Sequence, residues 1–561
     1  MKLKFSQMPY SRVELEGIKA GYEDLIERSR HAENGEEQYE IHREYYRFFN
    51  HNQTNFKIAM IRHDSDVTDE FYKGEQDYYD QIQPVIDNLE NAYRRVLYES
   101  PYRAYLEDKI GKITFRNMEL AMRSSDDRIV TLKQEENMLN RRYGNLIATA
   151  RIPFEGEVYN LSLMKKFQTS QDRETRRKAW KAVSEYFQSV TGELDEIYDL
   201  LVKNRDRQAK ALGHDNFIEL GYDRRKRNCF RAAEVKQFRE HVKKYLVPFV
   251  QELQEKRRKR LGVDKLSFID SDMYFAQGNP APCGTPEEIL RKGQQMYGEL
   301  SGETREFFDF MMENELFEVL GRKTKRQGGY MTYIPDYKAP FVFANFNGTN
   351  GDIDVITHEC GHAFQGYLTR NEEVREYTQL TWECGETHSM SMEYFTYPWM
   401  GLFFGDRKED YITAHMEDSI AFIPYGCMVD EFQHRIYEEP DMTPAKRKQL
   451  WMELEGEYRP YMDYEDDPFY SNGGIWQRQM HIFRLPFYYI DYCLASVCAM
   501  QFKAMMDQDY QKAWKVYCQF CQLSARKSFV EILEETGLEN PFEEACIRKL
   551  TGVLRDITST H

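Results

Sequence analysis

The spacing of proline constrains the fold of this chain more than any other feature. Only 18 of the 561 residues are proline, and none lies between Pro9 and Pro84 or between Pro153 and Pro248. Proline inside a helix removes a hydrogen bond and clashes with the preceding turn, so these gaps allow long helices. Oppositely charged side chains recur four residues apart over residues 15–49, after Asp64 and over 170–210. The sequence therefore predicts an all-α, predominantly helical fold.

Two helix starts and one loop can be predicted from local chemistry. Thr285 and Thr443 are each followed by proline, and threonine at the N-cap with proline at the first helical position is a common way to begin a helix. Residues 278–284 are rich in glycine and proline and predict a loop.

Charge and cysteine usage exclude several classes of protein. The formal net charge of −17 repels phosphate backbones, so we expect no nucleic-acid partner. No apolar run approaches the length of a membrane span, and no N-terminal targeting segment is recognisable. The 10 cysteines are scattered, and several lie in apolar helical contexts. We expect a cytoplasmic protein without disulfide bonds or membrane contact. None of these features specifies an oligomeric state.

The pattern H-E-x-x-H at His358 to His362 predicts a metal site. Residues four apart lie on one face of a helix, so the two imidazoles can bind the same ion. Two neutral imidazoles and a carboxylate from another element form a common ligand set for zinc, with one position left for water. Glu359 lies one step around the helix, where it can act as a general base on that water. The pattern favours one Zn²⁺.

The residues around this motif predict how its helix is held. Residues 347–351 form a turn cluster, and Asp352 beyond it is the predicted N-cap. Gly361 inside the helix costs about 1 kcal/mol relative to alanine, which indicates that another backbone or a ligand approaches closely there. The predicted buried stripe consists of Ile353, Ile356, Cys360, Ala363 and Tyr367.

A second helix offers the third ligand. Glu383, Glu386 and Glu393 share roughly one helical face, and His388 lies among them. This pattern is typical of a buried polar site. The spacing alone does not distinguish Glu383 from Glu386 as the metal ligand.

Together these two segments resemble the thimet oligopeptidase and oligoendopeptidase F family of zinc metallopeptidases, in its smaller bacterial form. In that family a glutamate downstream of the second histidine is the third ligand, and another glutamate follows it seven positions later, as Glu393 follows Glu386 here. The resemblance therefore implies that zinc binds His358, His362 and Glu386. It places Glu393 and His388 in the shell around these ligands.

A downstream segment, residues 481–492, strengthens the resemblance. The family carries a histidine followed by Pro-Phe-Tyr and further tyrosines, and it uses the histidine and tyrosine hydroxyls to hold the substrate carbonyl and the oxyanion. The resemblance thus implies catalytic roles for His481, Tyr488 and Tyr492, with Tyr489 as an alternative or a substrate contact. A tyrosine-rich run of this kind is also typical of a core or groove lining.

A strand before the metal helix completes the implied site. Residues 340–346 are apolar and β-forming, and they are bounded by proline and glycine. In the family, a strand at this place lies along the cleft and pairs with the main chain of the peptide. An ordinary core hairpin fits the pattern equally well. The implied substrate-binding residues are Gly329, Tyr330, Phe343, Ala344 and Asn345.

The resemblance implies a zinc-dependent endopeptidase that hydrolyses internal bonds of short oligopeptides by metal-activated water. It implies two helical lobes around a deep substrate channel, with a small β-sheet beside the zinc helix. We expect a helical N-terminal region over residues 1–200 and a catalytic region over residues 201–561. Two alternatives are a metallocarboxypeptidase of the carboxypeptidase Taq type and a non-catalytic, zinc-stabilised peptide-binding protein.

Overall fold

The computed structural model describes residues 4–559, which form two compact units. Each unit is assembled from three separate segments. The first contains the chain up to Ser125, then Ala281–Lys408 and Ala499–Leu538, and the second contains Asp126–Pro280, Glu409–Cys498 and the chain from Glu539 onward. The boundary expected near residue 200 does not separate these units, because it lies inside a helix of 39 residues, Arg173–Ala211.

The first unit is mainly helical and contains a three-stranded sheet. Its helices before the sheet are α1 (Leu15–Arg30), α2 (Gly35–Ser65), α3 (Glu70–Tyr98), α4 (Arg103–Ile110), α5 (Lys112–Arg123), α11 (Pro286–Leu300) and α12 (Gly302–Glu313). The strands are β3 (Phe317–Leu320), β4 (Tyr330–Ile334) and β5 (Ala339–Phe346). The helices after the sheet are α13 (Gly351–Leu368), α14 (Trp382–Phe395), α15 (Gly401–Phe404) and α20 (Phe529–Thr536).

The second unit is helical apart from one small hairpin. Its elements up to residue 280 are α6 (Val130–Ala148), β1 (Ile152–Phe154), β2 (Glu157–Tyr159), α7 (Leu161–Gln168), α8 (Arg173–Ala211), α9 (Phe217–Arg224) and α10 (Ala232–Leu261). The later helices are α16 (Lys408–Glu438), α17 (Pro444–Tyr458), α18 (Met480–Arg484) and α21 (Glu544–Ile557). Helix α19 (Tyr489–Leu523) begins in the second unit, ends in the first, and has a non-helical residue at Asp509.

The predicted helical fold is confirmed, and so are the predicted helix starts. Thr285 caps α11 by accepting a hydrogen bond from the main chain of Glu288, and Thr443 caps α17 in the same way from Lys446. The first helical residue after each cap is proline, whose missing N–H has no partner to lose at that position. No described helix is both long and apolar enough to cross a membrane.

The three-stranded sheet has the order β3-β5-β4 and packs against α13. Strand β5 pairs in parallel with β3 and antiparallel with β4. The predicted strand is therefore the central one, and β4 lies at an edge of the sheet. The small sheet expected beside the metal helix is present.

Candidate metal centre

Three side chains from α13 and α14 converge in the first unit. The Oε2 atom of Glu386 lies 3.3 Å from Nε2 of His358 and 3.5 Å from Nε2 of His362. The potential ligand atoms of these three residues all lie within 4.8 Å of one another, and Glu386 is buried. Two imidazole nitrogens and one carboxylate oxygen fit the donor set of a catalytic zinc ion.

The geometry separates the two glutamates that the spacing left open. Glu386 faces both imidazoles, whereas Glu383 is buried elsewhere on α14 and is not part of the described metal-ligand cluster. Burial alone would raise the pKa of Glu386, but hydrogen bonds with His358 and His362 hold it well below its usual range. Glu386 is therefore an ionised carboxylate that contacts two imidazoles.

Glu393 holds one ligand in place. Its Oε1 atom lies 2.6 Å from Nδ1 of His358. A carboxylate at Nδ1 keeps the proton on that nitrogen and leaves the lone pair of Nε2 for a metal ion. The role of Glu393 beside a metal ligand stays a prediction.

His388 forms its hydrogen bond away from His358, His362 and Glu386. Its Nε2 atom is 2.7 Å from the hydroxyl of Ser524, and its Nδ1 has no hydrogen-bond partner among the described residues. Burial lowers the pKa of His388 to about 3, so the ring is neutral. The expected contact between His388 and a ligand is therefore not formed, because the ring points from α14 toward α19.

Gly361 allows the two ligand helices to approach each other. A Cβ atom at this position would lie 2.6 Å from Cα of Ser389 and 2.7 Å from the main-chain oxygen of His388. Any side chain here would push α14 away from α13 and separate Glu386 from the imidazoles. The close backbone approach predicted from the glycine is confirmed.

The start of α13 differs from the prediction. The helix begins at Gly351, and Asp352 lies within its first turn. The carboxylate of Asp352 accepts hydrogen bonds from the main-chain N–H groups of Asn347 (2.9 Å) and Gly348 (2.8 Å). Asp352 thus fastens the preceding turn to the helix in place of capping it. The predicted stripe of Ile353, Ile356, Cys360, Ala363 and Tyr367 is buried as expected.

Glu359 lies between the ligands and the edge strand. Burial raises the pKa of its carboxyl, while the two imidazoles and a hydrogen bond from the main chain of Met331 oppose that shift. A Cβ atom on Gly329 would lie 3.8 Å from Oε1 of Glu359. A partly buried carboxylate with a raised pKa, next to a cluster of potential metal ligands, is suited to accept a proton.

The residues expected to pair with substrate divide between two strands. Tyr330 opens the edge strand β4, stacks on Phe343 with ring centres 4.9 Å apart, and donates its hydroxyl to Asp64 at 2.9 Å. Phe343 is fully buried, and its main chain faces β3 on one side and β4 on the other. A peptide therefore cannot add its backbone at Phe343. This corrects the expectation that the strand after Pro340 is the pairing strand.

Polar groups of Ala344 and Asn345 form hydrogen bonds within the protein. The main-chain oxygen of Ala344 accepts a hydrogen bond from the ammonium group of Lys325. The amide of Asn345 donates to the main-chain oxygens of Arg326 and Gly328, each at 2.8 Å. These contacts hold the segment before β4, and β4 is the edge strand that lies beside Glu359.

His481 and its tyrosines form a cluster within the second unit. The ring centre of His481 lies 5.8 Å from that of Tyr488, 4.8 Å from that of Tyr489 and 6.2 Å from that of Tyr492. Tyr488 and Tyr489 are buried, and Tyr492 is partly exposed. The guanidinium of Arg225 lies 5.1 Å from the ring centre of Tyr488.

Gln479 and Tyr425 orient His481, and no sequence pattern indicated a role for either residue. Tyr425 donates its hydroxyl to Oε1 of Gln479 at 2.9 Å, which directs the NH₂ group toward His481. Nε2 of Gln479 lies 2.9 Å from Nδ1 of His481. Nδ1 therefore accepts this hydrogen bond, and the proton of the neutral ring lies on Nε2. His481 can then donate a hydrogen bond from Nε2.

The chain bends sharply between α18 and α19. Phe487 has a φ of +63°, a left-handed conformation that is strained for a bulky side chain. Its N–H donates to Oε1 of Gln433 at 3.0 Å, and its main-chain oxygen accepts from Arg227. The ring is fully buried. This held bend places Tyr488 and Tyr489 beside His481.

Family models and solved structures both match this chain. A model of the peptidase M3 N-terminal domain matches residues 5–125, and a model of peptidase family M3 matches residues 166–283 and 305–551. A search of the curated proteins found no match.

Three solved structures resemble the whole chain closely. The structure of Pz peptidase A with an inhibitor is 44% identical over 100% of this chain and 99% of that one, with a TM-score of 0.95. A protein described as an oligoendopeptidase F is 43% identical over 100% and 99% of the two chains, with a TM-score of 0.95. A Bacillus anthracis strain Ames protein described in the same way is 40% identical over 100% and 98%, with a TM-score of 0.90.

Proposed function

Because this chain belongs to peptidase family M3, we propose that it is a zinc-dependent endopeptidase that cleaves internal bonds of short oligopeptides. The observation that carries the proposal is the convergence of His358, His362 and Glu386 with Glu359 beside them. Its close relatives include proteins described as oligoendopeptidase F. Short peptides are the proposed substrates, and the cytoplasm is the proposed location.

His358, His362 and Glu386 are the proposed ligands of a single zinc ion. Glu393 fixes the ring of His358 so that Nε2 faces the ion. When bound, zinc supplies Lewis acidity, which lowers the pKa of a water molecule to about 7 and polarises a carbonyl group.

Glu359 is the proposed general base and acid. Its carboxylate takes a proton from the attacking water as the scissile carbonyl is hydrated, and then delivers that proton to the leaving amine. The hydrogen bond from Met331 keeps Glu359 at the start of β4, where the proposed peptide strand would lie. Pairing through main-chain groups binds peptides of many sequences, because backbone hydrogen bonds do not read side chains.

His481, Tyr488 and Tyr492 are the proposed donors to the oxyanion. The resemblance of residues 481–492 to the family supports these roles, and the contact with Gln479 supports an Nε2–H donor on His481. The hydroxyl of Tyr489 interacts with Gln479, which favours Tyr488 and Tyr492 for the substrate. Preorganised donors at an oxyanion contribute about 3–4 kcal/mol each.

A fluorogenic peptide blocked at both ends tests this proposal. An endopeptidase cleaves it, and dialysis against a chelator abolishes cleavage until zinc is restored. A metallocarboxypeptidase would cleave only a peptide with a free C-terminus, and a non-catalytic binding protein would cleave neither. Either of those two results would contradict the proposal.

A further inference from the structure

A cavity of about 470 Å³ lies in the first unit, between α2 and the end of β4. One wall comes from a single face of α2, a second comes from β4 and the turn after it, and a third comes from residues 369–379, which follow α13. The α2 wall includes Phe49, Gln53 and Lys57, and the wall from β4 and its following turn consists of Thr332, Tyr333, Pro335 and Lys338.

The cavity continues the outer edge of β4. The N–H of Met331 points to Glu359, so it faces away from β5. Main-chain groups of alternate residues in an antiparallel strand point the same way, so those of Tyr333 also lie on the outer edge. From Met331 to Ile334, the last residue of β4, the strand advances about 10 Å. A peptide that pairs with this edge therefore reaches the cavity about three or four residues from the bond beside Glu359.

The cavity is lined by more cations than anions, in a protein whose net charge is −17. Its cationic residues are Lys57, Lys338, Arg370 and Arg375, and its acidic ones are Glu372 and Glu373. Glu372 pairs with Arg526, which reduces its effect on the cavity. The local charge thus favours an anionic ligand.

Two of the four cations already donate hydrogen bonds to described residues. Lys338 donates to the side chain of Asn371 at 3.2 Å, and Arg370 donates to the main-chain oxygen of Tyr367 at 2.6 Å. The guanidinium of Arg375 lies 3.3 Å from the ring centre of Phe49. Arg375 thus stacks closely on a ring, whereas the ammonium group of Lys57 lies 5.2 Å from its nearest ring centre, so Lys57 is the cation that can turn to a ligand.

Lys57 forms no hydrogen bond or ion pair with any described residue. It is partly buried, its ammonium group lies 5.2 Å from the ring centre of Phe56, and burial lowers its pKa. Withdrawing a cation from water without a counter-ion is unfavourable, and an anion bound beside it offsets that cost.

We propose that this cavity is a subsite for a peptide carboxylate, bound by Lys57 about three or four residues from the cleaved bond. The proposal rests on the proposed peptidase function. The carboxylate comes from an acidic side chain or from the C-terminus of the peptide, and two sets of substrates distinguish these sources.

The first set consists of end-blocked fluorogenic peptides that differ only by Glu or Gln, scanned over five positions on each side of the cleaved bond. The second set compares a free C-terminal carboxylate with its amide. We expect kcat/KM to favour the carboxylate by about tenfold at one position. In Lys57→Gln the ratio of kcat/KM for the carboxylate peptide to that for its neutral counterpart falls to about one. The Lys57→Arg variant retains most of the wild-type ratio. The matched control, Lys73→Gln on α3, keeps the full preference, because Lys73 is exposed and outside the cavity.

Binding separates this proposal from the peptidase function. The same peptides, bound to the Glu359→Gln variant, report the carboxylate preference by fluorescence anisotropy without turnover. If wild-type protein cleaves no peptide but Lys57 still sets the binding preference, the peptidase function fails and the subsite stands. A preference that Lys57→Gln leaves unchanged, or no preference in either set, overturns the subsite.

Discussion

Two charged clusters, one in each unit, use different partners for their carboxylates. In the first unit Glu386 and Glu393 face the imidazoles of His358 and His362. In the second unit Glu136 lies 2.6 Å from Nε of Arg205 and 3.2 Å from Nη1 of Arg224. Guanidinium groups are always charged and have no lone pair to offer a metal ion, so the Glu136 cluster is complete by itself.

The imidazoles of the first cluster differ from guanidinium groups because they can bind a metal ion. A neutral imidazole presents a lone pair, so the first cluster brings negative charge and two nitrogen ligands to one point. Such a cluster is suited to receive a divalent cation. The type of base beside a buried carboxylate thus distinguishes an ion-binding cluster from a structural one, and four substitutions test this distinction.

The largest expected effect is on turnover. In Glu359→Gln the proposed proton acceptor is lost while every ligand remains, so kcat should fall by about 10³–10⁴-fold. Stopped-flow or end-point hydrolysis of the fluorogenic peptide measures the loss, and elemental analysis should find the same zinc content as in the wild type. Unchanged turnover would remove Glu359 from the mechanism.

The largest expected effect on stability lies in the other cluster. Glu136→Gln leaves the buried guanidinium of Arg205 without its counter-ion, which should destabilise the protein by about 3–5 kcal/mol. Urea unfolding followed by fluorescence measures this change. Zinc affinity should stay at the wild-type value, and a loss of zinc affinity would contradict the separation of the two clusters.

The Glu136 cluster also predicts a dependence of stability on pH. Burial would raise the pKa of Glu136, but Arg205 and Arg224 outweigh this effect and hold the pKa at about 2, below its ordinary value of 4.5. The unfolded chain binds the proton more tightly, so this contribution is complete above pH 4.5 and is lost as pH falls toward 2. Urea midpoints measured across this range should fall less in Glu136→Gln than in the wild type. If the urea midpoints of the wild type and of Glu136→Gln fall equally with pH, the lowered pKa of Glu136 does not contribute to stability and this prediction is contradicted.

A smaller effect is expected at the metal ligands. Glu393→Gln weakens the hydrogen bond to Nδ1 of His358, so zinc affinity should fall about 10–100-fold in competition with a chromophoric chelator. Ser524→Ala is the matched control, because Ser524 contacts His388, which bonds no ligand. Equal losses in both variants would show that general packing sets the affinity.

The smallest effect is expected at Gln479. In Gln479→Leu the ring of His481 loses the donor that fixes its tautomer, and kcat should fall about tenfold, as the loss of one hydrogen bond implies. Chemical shifts of ¹⁵N-labelled histidine should show protonation at Nε2 of His481 in the wild type and a mixture of tautomers in the variant. A wild-type ring protonated at Nδ1 would contradict this role.

The sequence predicted the parts of the site that depend on local spacing. The two histidines on α13, the buried stripe below them and the close approach at Gly361 all follow from helical periodicity within a few residues. The choice of Glu386 over Glu383 needed the family resemblance, because both glutamates lie on a similar face of α14 and only the approach of α13 separates them.

The parts that failed depend on contacts distant in the chain. The central place of β5 follows from its pairing with β3, which the local pattern does not encode. His388 turns to Ser524, 136 residues away. The position expected for a boundary, near residue 200, lies within the second unit, and each unit combines three segments distant in the chain.

X-ray absorption of the zinc-loaded protein tests the central claim most directly. The account predicts one zinc ion per chain, with two imidazole nitrogens at about 2.0–2.1 Å and one carboxylate oxygen from the protein. It also predicts that this signal disappears in the His362→Ala variant. A spectrum with sulfur ligands, or an unchanged zinc signal in His362→Ala, would contradict the claim that His358, His362 and Glu386 hold the metal ion.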